Sequence, residues 1–304
     1  MKYLFILIIL IPMVASAQPT RQLLIADSLF QSGKYTECIA ACDEQLRTHY
    51  EQAKVYLLKA KAYAELGHYV MAIDALNACI KRDKKNAQAY ALRAYCHFMN
   101  KDYKPSRLDL IEACYLDTGN ALYHYNLGNI EQHMKKNGEA IKSYALAIRY
   151  KPEYAEAYTN RGFIYLQQNQ FEGALFDLDS ALKYNRSGNN EELFLYRGMT
   201  LAALKRNKEA IDMFNRCIRM KPSDASAYYN RGRVYYQMKI YKIALANFDT
   251  AISLKPTLEI AYFNRALAKI EMDKNNKRSA CDDLGKAIQL GFMEALPYLK
   301  KYCE

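Results

Sequence analysis

Eight cysteines and five histidines are the side chains of this 304-residue chain best suited to nucleophilic, redox or metal chemistry, and their spacing argues against most of it. Cys96 and His97 are neighbours. On a helix adjacent side chains point about 100° apart, so this imidazole is badly placed to act as base for this thiol. His124 and His133 share no metal-ligand spacing with a cysteine or carboxylate. The adjacent carboxylates Asp43-Glu44, Glu191-Glu192 and Asp282-Asp283 diverge on a helix, which disfavours an acid–base pair. No G-x-S-x-G, H-E-x-x-H or glycine-rich phosphate loop occurs. The sequence therefore points away from an enzyme, with no catalytic residues, no metal site and no cofactor expected.

Composition narrows the class. The chain is 51% hydrophobic and 25% charged, which excludes general disorder. Twelve glycines and seven prolines are too few turn-formers for a many-stranded sandwich or barrel. Met1-Lys2 followed by the apolar run Tyr3 to Val14 and the small-residue pattern Ala15-Ser16-Ala17 reads as a signal peptide over residues 1–17, cleaved before Gln18. The run is shorter than the roughly 20 residues a spanning helix needs. The first cysteine is Cys38, so the cleavage point offers none for lipidation. The expected product is exported to the periplasm or outside the cell, and is not an integral membrane protein.

The elements that would carry any function show themselves as an internal repeat. A small residue recurs at Ala26, Ala60, Ala94, Gly128, Gly162, Gly198, Gly232 and Ala266, with spacings of 34 throughout except one of 36. Around it sit Asn160-Arg161-Gly162, Asn230-Arg231-Gly232 and Asn264-Arg265-Ala266. Twelve residues on comes a second small set (Cys38, Ala72, Ser106, Ala140, Ala174, Ala210, Ala244, and Ala280 after an insertion). Seven further on comes a third, broken by Gln45 in the first copy. Between them run residues at i, i+3, i+4 and i+7, which is helical periodicity twice per repeat. Lys151-Pro152, Lys221-Pro222 and Lys255-Pro256 mark the end of the second helix, because proline cannot continue it.

These residues resemble the tetratricopeptide repeat family, whose W-x2-L-G-x2-Y…A-x3-F…P pattern has a 34-residue period. Tyr56, Tyr90, Tyr158, Tyr228 and Tyr262 stand where the family has tryptophan, since this chain has none. Gln22 and Gln45 read as the water-facing departures of a terminal repeat. The resemblance implies an all-α fold, an α-solenoid of eight helix-turn-helix repeats wound into a right-handed superhelix over residues 18–292. Residues 293–304 read as a capping helix, with Met293, Leu296, Leu299 and Tyr302 covering the open end. Antiparallel packing sets Cys281 and Cys303 at one height, which makes them a disulfide candidate. The other six cysteines fix no pairing.

In such a superhelix the first helix of each hairpin lines the concave face, with the residues two before and one after the small residue pointing inward. That places Asn126, Asn129, Asn160, Phe163, Asn230, Arg233 and Asn264 in a groove, with Tyr229 and Tyr236 beside them. The asparagines resemble ladders with which some family members hold an extended polypeptide, since an amide offers donors and an acceptor to a backbone. They are equally explicable as packing residues. The expected function is a non-enzymatic scaffold binding a protein or peptide ligand through this face, with nucleic acid not expected as a partner. The alternative is a regulatory subunit that docks on a cell-envelope enzyme or an anionic cell-surface polymer. Residues 197–255 carry 12 basic against 4 acidic residues, which could serve it. Lys205, Arg206, Lys208, Lys239 and Lys242 fall on turns and outer helices, where a solvated face is the plainer reading.

Overall fold

The computed structural model describes residues 21–48, 52–185, 188, 190–273 and 277–303, and these form α-helices with no strand among them. The proposed signal segment 1–17 lies outside the described residues. The described residues divide into two compact units, one ending at Thr118 and the other beginning at Gly119. In the first unit three helical hairpins pair α1 (Arg21–Gln31) with α2 (Tyr35–Thr48), α3 (Ala53–Glu65) with α4 (Tyr69–Arg82), and α5 (Ala87–Met99) with α6 (Tyr103–Leu116).

The second unit holds five more hairpins. They are α7 (Ala121–His133) with α8 (Asn137–Tyr150), α9 (Ala155–Gln167) with α10 (Phe171–Tyr184), and α11 (Glu191–Ala203) with α12 (Asn207–Met220). α13 (Ala225–Gln237) with α14 (Tyr241–Leu254) and α15 (Glu259–Met272) with α16 (Arg278–Gln289) complete them. A 3₁₀ turn, Met293–Ala295, leads into the short α17 (Leu296–Cys303). Within each unit the second helix of a hairpin packs on the first helix of the next, the layering of an α-solenoid. In the second unit α10 packs on α11 across the insertion at 186–190.

All three sets of small residues are buried, and this is what lets paired helices approach. Gln45 is 1% exposed, so it occupies the buried slot itself and does not face water as a degenerate end repeat would. Ser106 fits its slot by donating to the Ala94 carbonyl at 2.6 Å. Volumes across each pair are matched. Glycines Gly128, Gly198 and Gly232 lie under the rings of Tyr144, Phe214 and Phe248, sixteen residues later. Where the first residue is Ala60 or Ala94, that later position holds Leu76 or Leu110, both buried. Gly162 departs from the rule, because it faces Leu178.

Each of the first seven hairpins turns through one residue of positive φ: Gly33, Gly67, Lys101, Lys135, Asn169, Lys205 and Lys239. The following amide closes a 6→1 bond to the first helix, as Lys136 N does to the Glu131 carbonyl at 2.8 Å. The end of the second unit is closed by Phe292, Ala295, Leu299 and Tyr302, which pack with Leu284 and Ile270. Met293 instead points outward, 56% exposed, because residues 293–295 form a 3₁₀ turn whose buried member is Ala295. A disulfide joins Cys281 in α16 to Cys303 in α17, with the Cα atoms 5.8 Å apart.

Candidate peptide groove

In the second unit the first helices present two adjoining recesses. One, of about 740 Å³, is lined by Asn129, Gln132, His133, Lys135, Asn137, Phe163 and Gln167. The other, of about 360 Å³, shares Phe163 and Gln167 and runs on past Asn169, Met199 and Ala202 to Asn230, Arg233 and Gln237. Together they make one groove across α7, α9, α11 and α13. Its wall combines amides with His133, Lys135 and Arg233, over Phe163, Phe171, Leu166 and Met199 as apolar ground. The repeat register explains most of the lining: the residues one, four and five after the small residue in α7, α9 and α11, and one, two and five after Gly232 in α13. The sequence reading identified the first of these in Asn129, Phe163 and Arg233. It missed Met199, which follows Gly198 as Asn129 follows Gly128, and Gln132, Gln167, Ala202 and Gln237, for which the signal was the same 3.6-residue period carried one turn further.

The residues two before the small residue behave differently from the ladder expected of them. The Asn160 amide donates to Asn129 Oδ1 at 2.9 Å. The Asn264 amide donates to the Tyr229 hydroxyl at 3.1 Å and to the Ile260 carbonyl at 2.9 Å. Asn230, 8% exposed, borders the groove, but its amide donates to the Ser226 carbonyl at 2.9 Å. These donors tie one repeat to the preceding one or to their own helix, and are not held open for a ligand. Asn126, Asn160, Tyr229, Tyr236 and Asn264 line neither recess. Tyr229 is buried beside Phe248, and Tyr236 packs on Tyr241 with ring centroids 5.6 Å apart.

Beneath the first recess lies Tyr144, fully buried. Its hydroxyl sits 2.8 Å from both Asn129 Oδ1 and Gln132 Oε1, donating to one at a time, and so fixes two groove amides from below. Burial raises the pKa of Tyr144, which keeps the phenol a donor. Phe163 stacks on Tyr196 at 4.3 Å, so the ring at the junction of the recesses is immobilised from behind.

The arginine before the small residue has a role that sequence reasoning overlooked. Arg161 grips Asp177 through two bonds of 2.7 Å, and Arg265 grips Asp283 at 2.9 and 2.5 Å. In the first unit Arg93 does the same to Asp109 at 2.8 and 2.6 Å. Arg231 uses the neutral Asn247 and reaches back to Asn215, while Arg265 reaches back to Asp249. Each such arginine spans the second helix of its own hairpin and, in most copies, the second helix of the preceding one. Arg93, Arg161, Arg231 and Arg265 also lie over Tyr90, Tyr158, Tyr228 and Tyr262, at 5.4 to 5.8 Å from the ring centroids. The tyrosines that replace tryptophan thus serve as plates for guanidinium groups. An arginine at the same register position in several copies, with an acid or amide 16 residues later (18 across the insertion before Asp283), was the readable signal.

No cluster of three or more metal-ligating side chains occurs among the described residues. Among them, too, no helix is long and apolar enough to cross a membrane. Cys38, Cys42, Cys79, Cys96, Cys114 and Cys217 are unpaired by disulfide and buried. Burial pushes the Cys42 and Cys217 thiols up to about 12, and those of Cys79 and Cys96 to about 11. These thiols are packing residues, poor as nucleophiles at neutral pH.

Comparison with known proteins agrees with this architecture. A family model described as a tetratricopeptide repeat matches residues 225–258. A second with that description matches 53–86 and 155–187, and a TPR repeat model matches 133–169 and 198–239. Human tetratricopeptide repeat protein 6 is 34% identical over 140 residues, 46% of this chain and 25% of the relative. The human mitochondrial import receptor subunit TOM70 is 23% identical over 293 residues, 92% of this chain and 48% of the relative. The chain therefore spans half or less of the length of these relatives. A solved tetratricopeptide repeat protein from Parabacteroides merdae shares the fold with a TM-score of 0.60 at 21% identity, covering 83% of this chain and 99% of that one. With matching models in both units, and with the buried small-residue register and hairpin pairing described above, this chain belongs to the tetratricopeptide repeat family.

Proposed function

We propose that this protein is an exported, non-enzymatic scaffold that holds an extended polypeptide in the groove of its second unit. The observation that carries the reading is the continuous lining from Asn129 through Phe163 to Arg233, amides alternating with fixed apolar ground. Side-chain amides can bond a peptide backbone whatever its side chains, and Phe163 and Met199 offer apolar contact to alternate residues. TOM70, a relative along nearly the whole chain, is by its description a receptor subunit. Export rests on the apolar run Tyr3 to Val14 with its small-residue cleavage pattern.

In the rival reading, a basic outer face docks on an anionic polymer; part of that charge is already matched, since Arg206 pairs with Glu209 and Lys221 with Glu191. The deciding experiment places a photocrosslinking residue at Gln167 in the groove or at Phe176, 68% exposed on the outer helix α10. The reading expects one discrete adduct from Gln167 and none from Phe176. Equal capture at both sites would refute it. Sequencing the mature N-terminus tests export, with Gln18 as the expected first residue.

A further inference from the structure

The charge of the groove is one-sided. No aspartate or glutamate lines either recess, whereas Lys135 borders the first and Arg233 the second. Elsewhere in the second unit the first-helix arginines are satisfied internally: Arg161 by Asp177, Arg197 by Asp179, Arg231 by Asn247 and Asn215, and Arg265 by Asp283 and Asp249. Arg233 is the exception. It is exposed, makes no ion pair among the described residues, and rests over the Tyr229 ring at 5.8 Å. Lys135 likewise makes no ion pair among the described residues; it occupies the positive-φ turn position that Lys101, Lys205 and Lys239 fill in other hairpins, and here that position borders the first recess.

We infer that the groove of the second unit selects an acidic extended peptide, whose carboxylates meet Arg233 and Lys135 on either side of an apolar residue seated at Phe163. This rests on the reading of the groove as a polypeptide site. A guanidinium with free donors binds carboxylate through charge-assisted bonds, and a carboxylate-free wall imposes no repulsion on such a ligand. A basic ligand would meet two like charges and no counter-charge. An interior stretch of chain suffices, since the two cations lie at different recesses of one groove and address separate side chains.

The test uses the full mature protein and a capped twelve-residue peptide of alternating glutamate and leucine, acetylated and amidated so that it has no terminal charge. Its partner has glutamine for every glutamate. Fluorescence anisotropy should show the acidic peptide binding roughly tenfold or more tightly, with the difference shrinking as salt rises. Arg233→Ala and Lys135→Ala should each weaken the acidic peptide by about five- to tenfold and leave the glutamine peptide within about twofold. Lys142→Ala, an exposed cation on the outer helix α8, should change neither. Equal affinity for the two peptides, with both lost in Phe163→Ala, would overturn the acidic preference and leave the groove reading standing. Binding by neither peptide, or binding indifferent to Phe163→Ala, would overturn both. Equal weakening by Lys142→Ala and Arg233→Ala would reduce the effect to net charge and likewise overturn the inference.

Discussion

The pairing of small and large residues between the two helices of a hairpin makes a quantitative prediction at Gly232. A Cβ built there stands 2.8 and 2.9 Å from two ring atoms of Phe248 and 3.1 Å from Asn247 Cβ. Phe248 is fully buried and Asn247 is held by Arg231, so neither can retreat cheaply. Overpacking of this kind costs about 1–3 kcal/mol. Replacing a helical glycine with alanine returns about 1 kcal/mol of helix propensity. Gly232→Ala should therefore destabilise by up to about 2 kcal/mol net, whereas the same change at an unobstructed helical site stabilises by about 1 kcal/mol. Phe248→Leu alone, which leaves a void beside a glycine, should cost about 1–2 kcal/mol as lost buried hydrocarbon. The double variant recreates the alanine–leucine pairing of Ala60 with Leu76, so its loss should fall below the sum by about 1–2 kcal/mol. Urea unfolding followed by circular dichroism measures the total, and amide exchange in α13 and α14 shows where it is lost. Gly138→Ala, at an exposed helical site with nothing within 4 Å, is the control and should stabilise slightly. A Gly232→Ala that stabilises as much as Gly138→Ala, or strictly additive losses in the double variant, would refute the volume-matching argument.

Four further outcomes follow from the geometry. Arg161→Ala strands the nearly inaccessible carboxylate of Asp177 and should cost about 3–5 kcal/mol in urea, whereas the joint replacement Arg161→Met with Asp177→Leu should cost much less. Asn264→Ala removes bonds to Tyr229 and to its own helix, and should lower stability by about 1 kcal/mol in the same assay. Cys303→Ser opens a loop with a sequence separation of 22 and should cost on the order of 3 kcal/mol by the loop-entropy model, with amide exchange rising first over residues 293–303; a non-reduced peptide map should contain the Cys281–Cys303 cross-link. Because burial lifts the thiols of Cys42, Cys79, Cys96 and Cys217 to about 11–12, raising the pH from 7 to 9 should speed iodoacetamide labelling of a free reference thiol but not of these four until denaturant is added.

The 34-residue register was legible because burial of a small residue is a steric demand that few side chains meet, so the pattern survives in composition alone. Hairpin limits followed from it, and prolines at 152, 222 and 256 lie just beyond the ends of α8, α12 and α14. What the register cannot tell is whether a polar side chain near the groove is already bonded. Asn129 and Asn160 are the same residue type on neighbouring first helices, yet one lines the recess and the other spends its amide on the first. That difference depends on Tyr144, which reaches in from the second helix sixteen residues after Gly128, a contact made by packing and not by local pattern. Gln45 misled for the same reason: polarity suggested water, but the slot it fills is closed by its neighbours.

Arg231 and Arg233 show most directly how one helix divides structural work from recognition. They stand two residues apart, about 200° around the helix axis, and so project to nearly opposite sides. Arg231 turns toward the second helices, where Asn247 and Asn215 accept from it at 2.8 and 2.6 Å. Arg233 turns toward the first-helix surface, where it borders the same recess as Gln237 and Asn230 and makes no ion pair among the described residues. Neither can exchange roles with the other, because a single-residue slip would carry Gly232 away from Phe248 and drive a side chain into its ring. The small residue is thus the reference point for both: the position before it binds the repeats to each other, and the position after it faces the groove proposed to hold the ligand. Substituting Arg231 should therefore be read in stability and Arg233 in ligand affinity, with little crossover between the two measurements.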